Sequence, residues 1–355
     1  MIDKKQFLVN VRCATYNHSA YIEDAMNGFA MQQTDFPFVC SIIDDASTDG
    51  EQEILKKYLD KNFELGEGSG VINEETDDYV LTLAQHKTNK NCYFAVLFLK
   101  YNHYGTSESK ARRWTYLKEW EDECKYIALC EGDDYWIDPC KLQRQIEFLE
   151  THPNFSMVCN RTKRFSIKKG VFLDDNRCYT HSQVVKPEDV ILKGGLFIST
   201  CSTVYRRTII NYLPDYCMKC HVGDYPRSIM ASMKGQVYYM DDAMSVYRVE
   251  NSASWVGRQK SPFLTETRLR GILSEVRMLQ GFMRDYPQYS VFFMQRIQYF
   301  IVSNLPNRHT DKEGNILYCR TFKEEIKHFT YKNRIHIFVR IYFPLLLDIL
   351  AKIRK

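Results

Sequence analysis

Three short apolar runs, Phe7 to Cys13, Phe38 to Asp44 and Tyr126 to Cys130, are each followed by a polar turn and then by a stretch with helical spacing. This alternation constrains the chain more than any other feature. A strand that feeds a helix and returns beside a parallel neighbour is the repeating unit of α/β folds, so a largely parallel sheet covered by helices is expected. The run Tyr126 to Cys130 is almost wholly apolar, as a strand buried on both faces must be.

The intervening segments fit this reading. Ser19 can cap a helix that runs to about Met31. Thr48 and Glu51 have the spacing of a capping box for a helix to about Phe63. Phe94 to Tyr101 reads as a further strand, with a helix from about Ser109 to Glu123. Asp138 and Pro139 open a helix whose Leu142, Ile146 and Leu149 share one face. From Phe155 to Val249 the runs shorten, with strands expected at Phe155 to Asn160, Thr200 to Tyr205, Gln236 to Met240 and Met244 to Val249. After Gly257 the pattern turns helical, with Leu269, Leu273, Val276 and Leu279 at one-turn spacing. The expected organisation is one α/β domain over 1–257, with halves 1–134 and 135–257, and a helical extension over 258–355.

Composition removes several classes. The 355 residues are 45% hydrophobic and 26% charged, and 16 Gly with 10 Pro exclude collagen and make long disorder unexpected. No run of about 20 apolar residues is present. The N-terminal MIDKKQFLVNVR lacks the apolar core of a secretory signal, so a cytoplasmic placement with reduced thiols at the 12 cysteines is expected. The net charge of +4 arises at one end, because residues 320–355 hold nine Lys/Arg against three Asp/Glu. The rest of the chain is slightly acidic and has no basic, aromatic-interleaved stripe, which argues against a nucleic-acid partner.

Chemistry concentrates at strand ends. Glu131-Gly132-Asp133-Asp134 follows the Tyr126 strand directly, and ligands of open α/β sheets bind outside the carboxyl ends of strands. In extended chain Glu131 and Asp133 point the same way and Asp134 points elsewhere. Two converging carboxylates repel unless a cation joins them, and their hard oxygens suit Mg²⁺ or Mn²⁺, which can in turn hold a diphosphate. Asp44-Asp45, at the end of the Phe38 strand, can accept hydrogen bonds from a nucleobase imide or a ribose hydroxyl. Thr48, Asp49 and Asp138 are read as turn and cap residues.

Taken together, Ala14-Thr15-Tyr16-Asn17, Asp44-Asp45-Ala46-Ser47-Thr48-Asp49-Gly50 and Tyr126 to Asp134 resemble the motifs of a family-2 glycosyltransferase of the GT-A fold. The resemblance spans roughly residues 5 to 255 and includes Asn102, Gly105, Arg112 and Asp138-Pro139. It implies a Rossmann-like, mostly parallel central sheet flanked by helices, with the helical C-terminal extension beyond it. It also implies transfer of a sugar, with inversion, from a nucleoside-diphosphate donor, a UDP-sugar foremost, to a hydroxyl of a glycan or lipid-linked acceptor in cell-surface polysaccharide synthesis. Thr15, Tyr16, Asn17, Asp44, Asp45, Arg112, Glu131 and Asp133 are the implied nucleotide-binding residues. Asp133 would ligate the divalent Mg²⁺ or Mn²⁺, with Glu131 near ribose or metal. The family's motif usually begins with Asp, where this chain has the longer Glu131.

The general base of such a transfer is a carboxylate. The family carries it in an acidic dipeptide before a helix of the second half, and the corresponding Gly223-Asp224-Tyr225 assigns Asp224. Tyr247-Arg248-Val249-Glu250-Asn251 and Trp255 resemble the segment that closes the donor site. Glu250 stands where the family often has a His that sometimes ligates the metal, and it reads either as an oxygen ligand or as a surface acid, while Arg248 suits either a phosphate or an ion pair. Cys217-Met218-Lys219-Cys220-His221 formally matches a haem-attachment pattern or half a zinc site, but no second Cys pair lies at suitable spacing.

Two rival activities stay open: a nucleotidyltransferase, which also needs a metal-held diphosphate, and a non-catalytic nucleotide-sugar-binding or membrane-assembly protein. Residues 332–355 form a basic, partly apolar segment interrupted by Pro344. This composition suits peripheral contact with the inner face of an anionic membrane.

Overall fold

The computed structural model describes residues 2–103, 114–250, 263–306 and 311–342. Their strands are β1 (Val9–Thr15), β2 (Phe38–Asp44), β3 (Ile72–Glu75), β4 (Tyr79–Gln85), β5 (Cys92–Leu99), β6 (Tyr126–Leu129), β7 (Tyr135–Trp136), β8 (Phe155–Ser166), β9 (Val171–Asn176), β10 (Gln183–Val185), β11 (Val204–Arg206) and β12 (Gln236–Val249). All twelve join one sheet with the main order β10-β12-β8-β11-β6-β1-β2-β5-β4-β3. The centre, β6-β1-β2-β5, is parallel, and β2, β5 and β6 are buried along their whole length. Continuous apolar sequence and burial on both faces therefore coincide. The expected α/β class is the observed one, with antiparallel strands added outside the parallel centre.

The sequence reading missed the β3–β4 hairpin, whose outer strand is mostly polar and exposed. It also divided β12 in two. Register shifts against β8 between Met240 and Ser245 interrupt the pattern there without ending the strand.

Helices α1 (Ile22–Ala30) and α2 (Glu51–Asn62) connect the central strands, followed by α3 (Lys118–Glu123) and α4 (Lys141–Thr151). In α1 the residues Ile22, Ala25, Met26 and Phe29 are buried at one-turn spacing. Helix α4 buries Leu142, Ile146 and Leu149 as expected. Further along come α5 (Pro187–Lys193), α6 (Arg207–Asn211), α7 (Asp215–Met218) and α8 (Asp224–Lys234). The C-terminal end is helical: α9 (Glu266–Asp285), α10 (Ser290–Ser303), α11 (Lys312–Thr321), α12 (Lys323–Lys327) and α13 (Tyr331–Tyr342).

The chain divides into two compact units. The first contains the whole sheet, and the second groups residues 191–194 and 214–226 with the C-terminal helices. Among the described residues no helix is long and apolar enough to cross a membrane.

Candidate functional site

In the sheet-bearing unit, parallel register sets the carboxyl ends of β1, β2 and β6 side by side. Thr15 pairs with Asp44, and Arg12 pairs with Leu129. Backbone hydrogen bonds continue the alignment past the strands, from Asp45 N to Thr15 O (3.0 Å) and from Gly132 N to Ala14 O (3.1 Å). Residues far apart in sequence are thereby gathered along one edge, where ligands of such sheets bind.

Two loops form the floor of this edge. After β1, Asn17 takes a left-handed conformation (φ 56°), and after β2, Ala46 does the same (φ 59°). Asn visits this region readily, whereas Ala at positive φ is uncommon and persists only when its surroundings hold it. The hold is visible: Thr48 N donates to Asn17 Oδ1 (2.8 Å), Asn17 N to Ser47 Oγ (2.9 Å) and Ser19 N to Asp49 Oδ2 (2.9 Å). Ser19 is thus a tie between the loops and does not cap α1, which starts without a side-chain cap.

Glu51 is the hub of these contacts and was missed as such. The capping box expected with Thr48 does not form: Asp49 Oδ1 accepts from Glu51 N (3.1 Å) and the Glu51 side chain turns inward. Its buried carboxylate accepts from Thr15 Oγ1, from His18 N (2.9 Å) and from Ser47 Oγ (2.8 Å).

Asp44 and Asp45 are both buried but engaged differently. Asp45 Oδ1 accepts from His103 N (2.7 Å), and Asn102 Nδ2 donates to Asp45 O (2.9 Å), so this aspartate anchors the segment after β5. Asp44 Oδ2 accepts from Gln52 Nε2 (2.5 Å) and Ser47 N (3.3 Å), while its buried Oδ1 has no hydrogen-bond partner among the described residues. Burial pushes the Asp44 carboxyl up to about 6, against the pull of its hydrogen bonds from Ser47 and Gln52. Ser47 and Gln52 also line a cavity of about 470 Å³ beside Lys56, Phe98 and Lys100. A concavity of about 570 Å³ lies instead among Gln32–Asp35, Thr88 and Asn89, before β2 and β5 begin, at the ends opposite the acidic residues.

The acidic motif splits as its alternation requires. Asp134 is buried and its Oδ1 accepts from Arg248 N (2.9 Å). Burial, reinforced by Asp133, holds its carboxyl well above the usual range. Glu131 is exposed. The Asp133 side chain is 13% exposed and its Oδ2 stands 3.9 Å from His18 Nε2. His18 Nδ1 lies 3.2 Å from Thr15 Oγ1, whose own proton goes to Glu51. This network places the ring hydrogen on Nδ1, so a neutral His18 presents the Nε2 lone pair toward Asp133, and a proton or a cation between them satisfies both. His18 directly follows Thr15-Tyr16-Asn17, and that adjacency was the only sequence signal for it. Tyr16 itself is half-buried.

Arg248 resolves to an ion pair. Its guanidinium pairs with Asp24 of α1, donates to Asp133 O (2.8 Å) and lies over the rings of Tyr135 (4.4 Å) and Tyr21 (5.0 Å). It braces the acidic turn from below. Glu250, two residues on, has φ 64° and accepts from Ser166 Oγ. Arg112, Gly105, Asn251 and Trp255 lie outside the described residues.

Asp224 belongs to the second unit and opens α8, its Oδ1 accepting from Tyr225 N (2.7 Å). The loop before it docks on α9: Ser274 Oγ accepts from His221 N (3.1 Å) and lies 2.9 Å from His221 Nδ1. Next to Ser274, burial pushes Glu275 up to about 7, Arg296 opposing and Asp224 reinforcing the shift. Cys217 is buried in α7, and His221 is taken up by Ser274. Among the described residues no three or more His, Cys, Asp or Glu side chains gather into a metal cage.

No family model matches the chain. Uncharacterized protein Mb1547 of Mycobacterium bovis and uncharacterized protein Rv1520 of Mycobacterium tuberculosis are each 28% identical over 250 residues, which cover 68% of this chain. The match spans 58% of the length of those relatives. Among solved structures, Staphylococcus aureus TarS aligns with 92% of this chain and 50% of its own, at 15% identity and a TM-score of 0.57. A mannosyltransferase, PcManGT from Pyrobaculum calidifontis in complex with GDP-Man and Mn²⁺, aligns with 97% of this chain and 84% of its own, at 12% identity and a TM-score of 0.50. The central sheet flanked by helices, with helices at the C-terminal end, is a fold this chain shares with TarS and with that mannosyltransferase.

Proposed function

We propose that the chain is a glycosyltransferase that moves a sugar from a nucleoside-diphosphate sugar to an acceptor hydroxyl. One observation carries the reading: Thr15, Asn17, Asp44 and Asp133 line the carboxyl ends of adjacent parallel strands, in a fold shared with a mannosyltransferase. The unpartnered Asp44 Oδ1 suits an imide N–H of the base, and the Asn17 and Ala46 turns shape the nucleoside site.

The donor set fits a divalent cation. Asp133 offers a hard, partly exposed oxygen facing His18 Nε2, and Mg²⁺ or Mn²⁺ needs only one or two protein carboxylates when diphosphate and water complete its shell. Asp133 would hold the ion, with Glu131 or Glu250 as a second oxygen donor of the proposal. Bound there, the ion supplies charge neutralisation to the leaving diphosphate. Arg248 keeps the acidic turn in place, Asp134 stays buried as its anchor, and Asp224 accepts the proton of the acceptor oxygen as it attacks with inversion. The acceptor would be a glycan or a lipid-linked sugar of surface polysaccharide synthesis.

The test is product analysis with a panel of sugar nucleotides and Mn²⁺ or Mg²⁺. Nucleoside diphosphate should be released only with metal, Asp133→Asn should abolish release, and Asp224→Asn should lower kcat by about 10²–10⁴ while donor binding persists. Pyrophosphate release would mean nucleotidyl transfer instead. Binding without turnover in the wild-type chain would mean a non-catalytic protein.

A further inference from the structure

Helix α13 has two apolar faces. Inward, Ile337 is buried and Asn333 Nδ2 donates to Gln298 Oε1 of α10 (3.4 Å). Outward, Tyr331, Ile335, Phe338 and Tyr342 are 73%, 42%, 54% and 62% exposed. Their spacing of four, three and four residues, at about 100° per residue, confines them to a stripe roughly 60° wide on the side away from Ile337. A helix that only packs on its own unit carries one apolar stripe and a polar outer face. Four large side chains this exposed make the outer face an apolar surface, on which the rings of Phe338 and Tyr342 lie 4.8 Å apart.

The flanks of the stripe state the charge of a fitting partner. Lys332 lies on one side, Arg334 on the other, and both are exposed. Tyr331–Tyr342 contains no Asp or Glu. A second copy of the chain meeting this face through a two-fold axis would set these cations against each other. An anionic bilayer surface instead meets both parts of the helix at once. Tyr and Phe are suited to the boundary between headgroup and acyl chain, and flanking Lys and Arg pair with lipid phosphates.

We propose that α13 is a membrane-surface element that lays Tyr331, Ile335, Phe338 and Tyr342 into the headgroup boundary of an anionic bilayer, with Lys332 and Arg334 on its phosphates. The inference stands apart from the sugar-transfer reading, since neither the donor site nor its chemistry enters it.

Flotation of the full chain with phosphatidylcholine vesicles, with and without phosphatidylglycerol, tests it. The wild-type chain should float with the phosphatidylglycerol vesicles, and less so as salt rises. Lys332→Glu and Arg334→Glu should each weaken binding about fivefold. Ile335→Glu combined with Phe338→Glu should weaken it by about tenfold or more. These side chains are exposed, so far-UV circular dichroism should match the wild type. The inference is overturned if the wild-type chain stays with buffer, if Ile335→Glu/Phe338→Glu floats as well as wild type, or if sedimentation shows the stripe pairing two copies without vesicle binding.

Discussion

At Gly132 there is no room for a side chain. An added Cβ would lie 2.2 Å from Thr15 Oγ1 and 2.6 Å from Thr15 Cβ, and Thr15 cannot swing away while Glu51 and His18 hold its hydroxyl. Gly132→Ala should therefore destabilise by about 1–3 kcal/mol, read as a lower denaturant midpoint, and should weaken donor binding because Thr15 and Asp133 separate. Asp44 gives a pH signature. Its folded carboxyl titrates at about 6 and its unfolded one near 3.8, so the folded state binds more protons between these values. Stability from this group is thus present at low pH and declines as pH rises from about 4 to 6. Asp44→Asn keeps an acceptor oxygen but cannot ionise. It should raise neutral-pH stability by up to about 3 kcal/mol, remove that part of the slope in melts taken across pH, and still impair donor binding. A variant no more stable than wild type at pH 7 would refute the buried-charge account. Motif order and spacing made Asp44, Asp133 and Thr15 legible as candidate site residues. Glu51 and His18 were not, because their roles depend on groups far off in the chain: Glu51 takes the Thr15 hydroxyl 36 residues back, and His18 faces Asp133 of a later strand end.

Elements reach the site through close backbone packing. Gly28 lies inside α1, where exchange for Ala ordinarily gains about 1 kcal/mol. Here an added Cβ would stand 2.8 Å from Trp136 N and 2.9 Å from Trp136 O, so α1 would have to lift from β7. The expected outcome of Gly28→Ala is a loss of about 1–3 kcal/mol by chemical denaturation, and a gain would contradict the packing. The lift would also strain the Arg248–Asp24 pair, through which α1 and β12 together brace the acidic turn. Helices and central strands were readable because periodicity and burial agree in them. The β3–β4 hairpin was not, since a polar edge strand offers no alternating pattern to read. The Ser19 and Thr48 caps failed for a related reason: both residues found partners in the neighbouring loop in place of their own helix.

For the whole molecule, the sequence alone determined the α/β class, the order of the central strands' acidic ends and the helical C-terminal region. Alternating apolar runs and turn residues are local signals, and a chain obeying them has few ways to bury its strands. Tertiary structure decided the rest. Parallel register put Thr15 beside Asp44, and two left-handed turns locked loops that no local rule connects. Folding also turned Arg248 to Asp24, drew residues 214–226 into the C-terminal unit with Asp224, and left Tyr331, Ile335, Phe338 and Tyr342 of α13 exposed. These outcomes depend on which distant groups compete for the same hydrogen bond or the same volume, and that competition exists only once the chain has closed on itself.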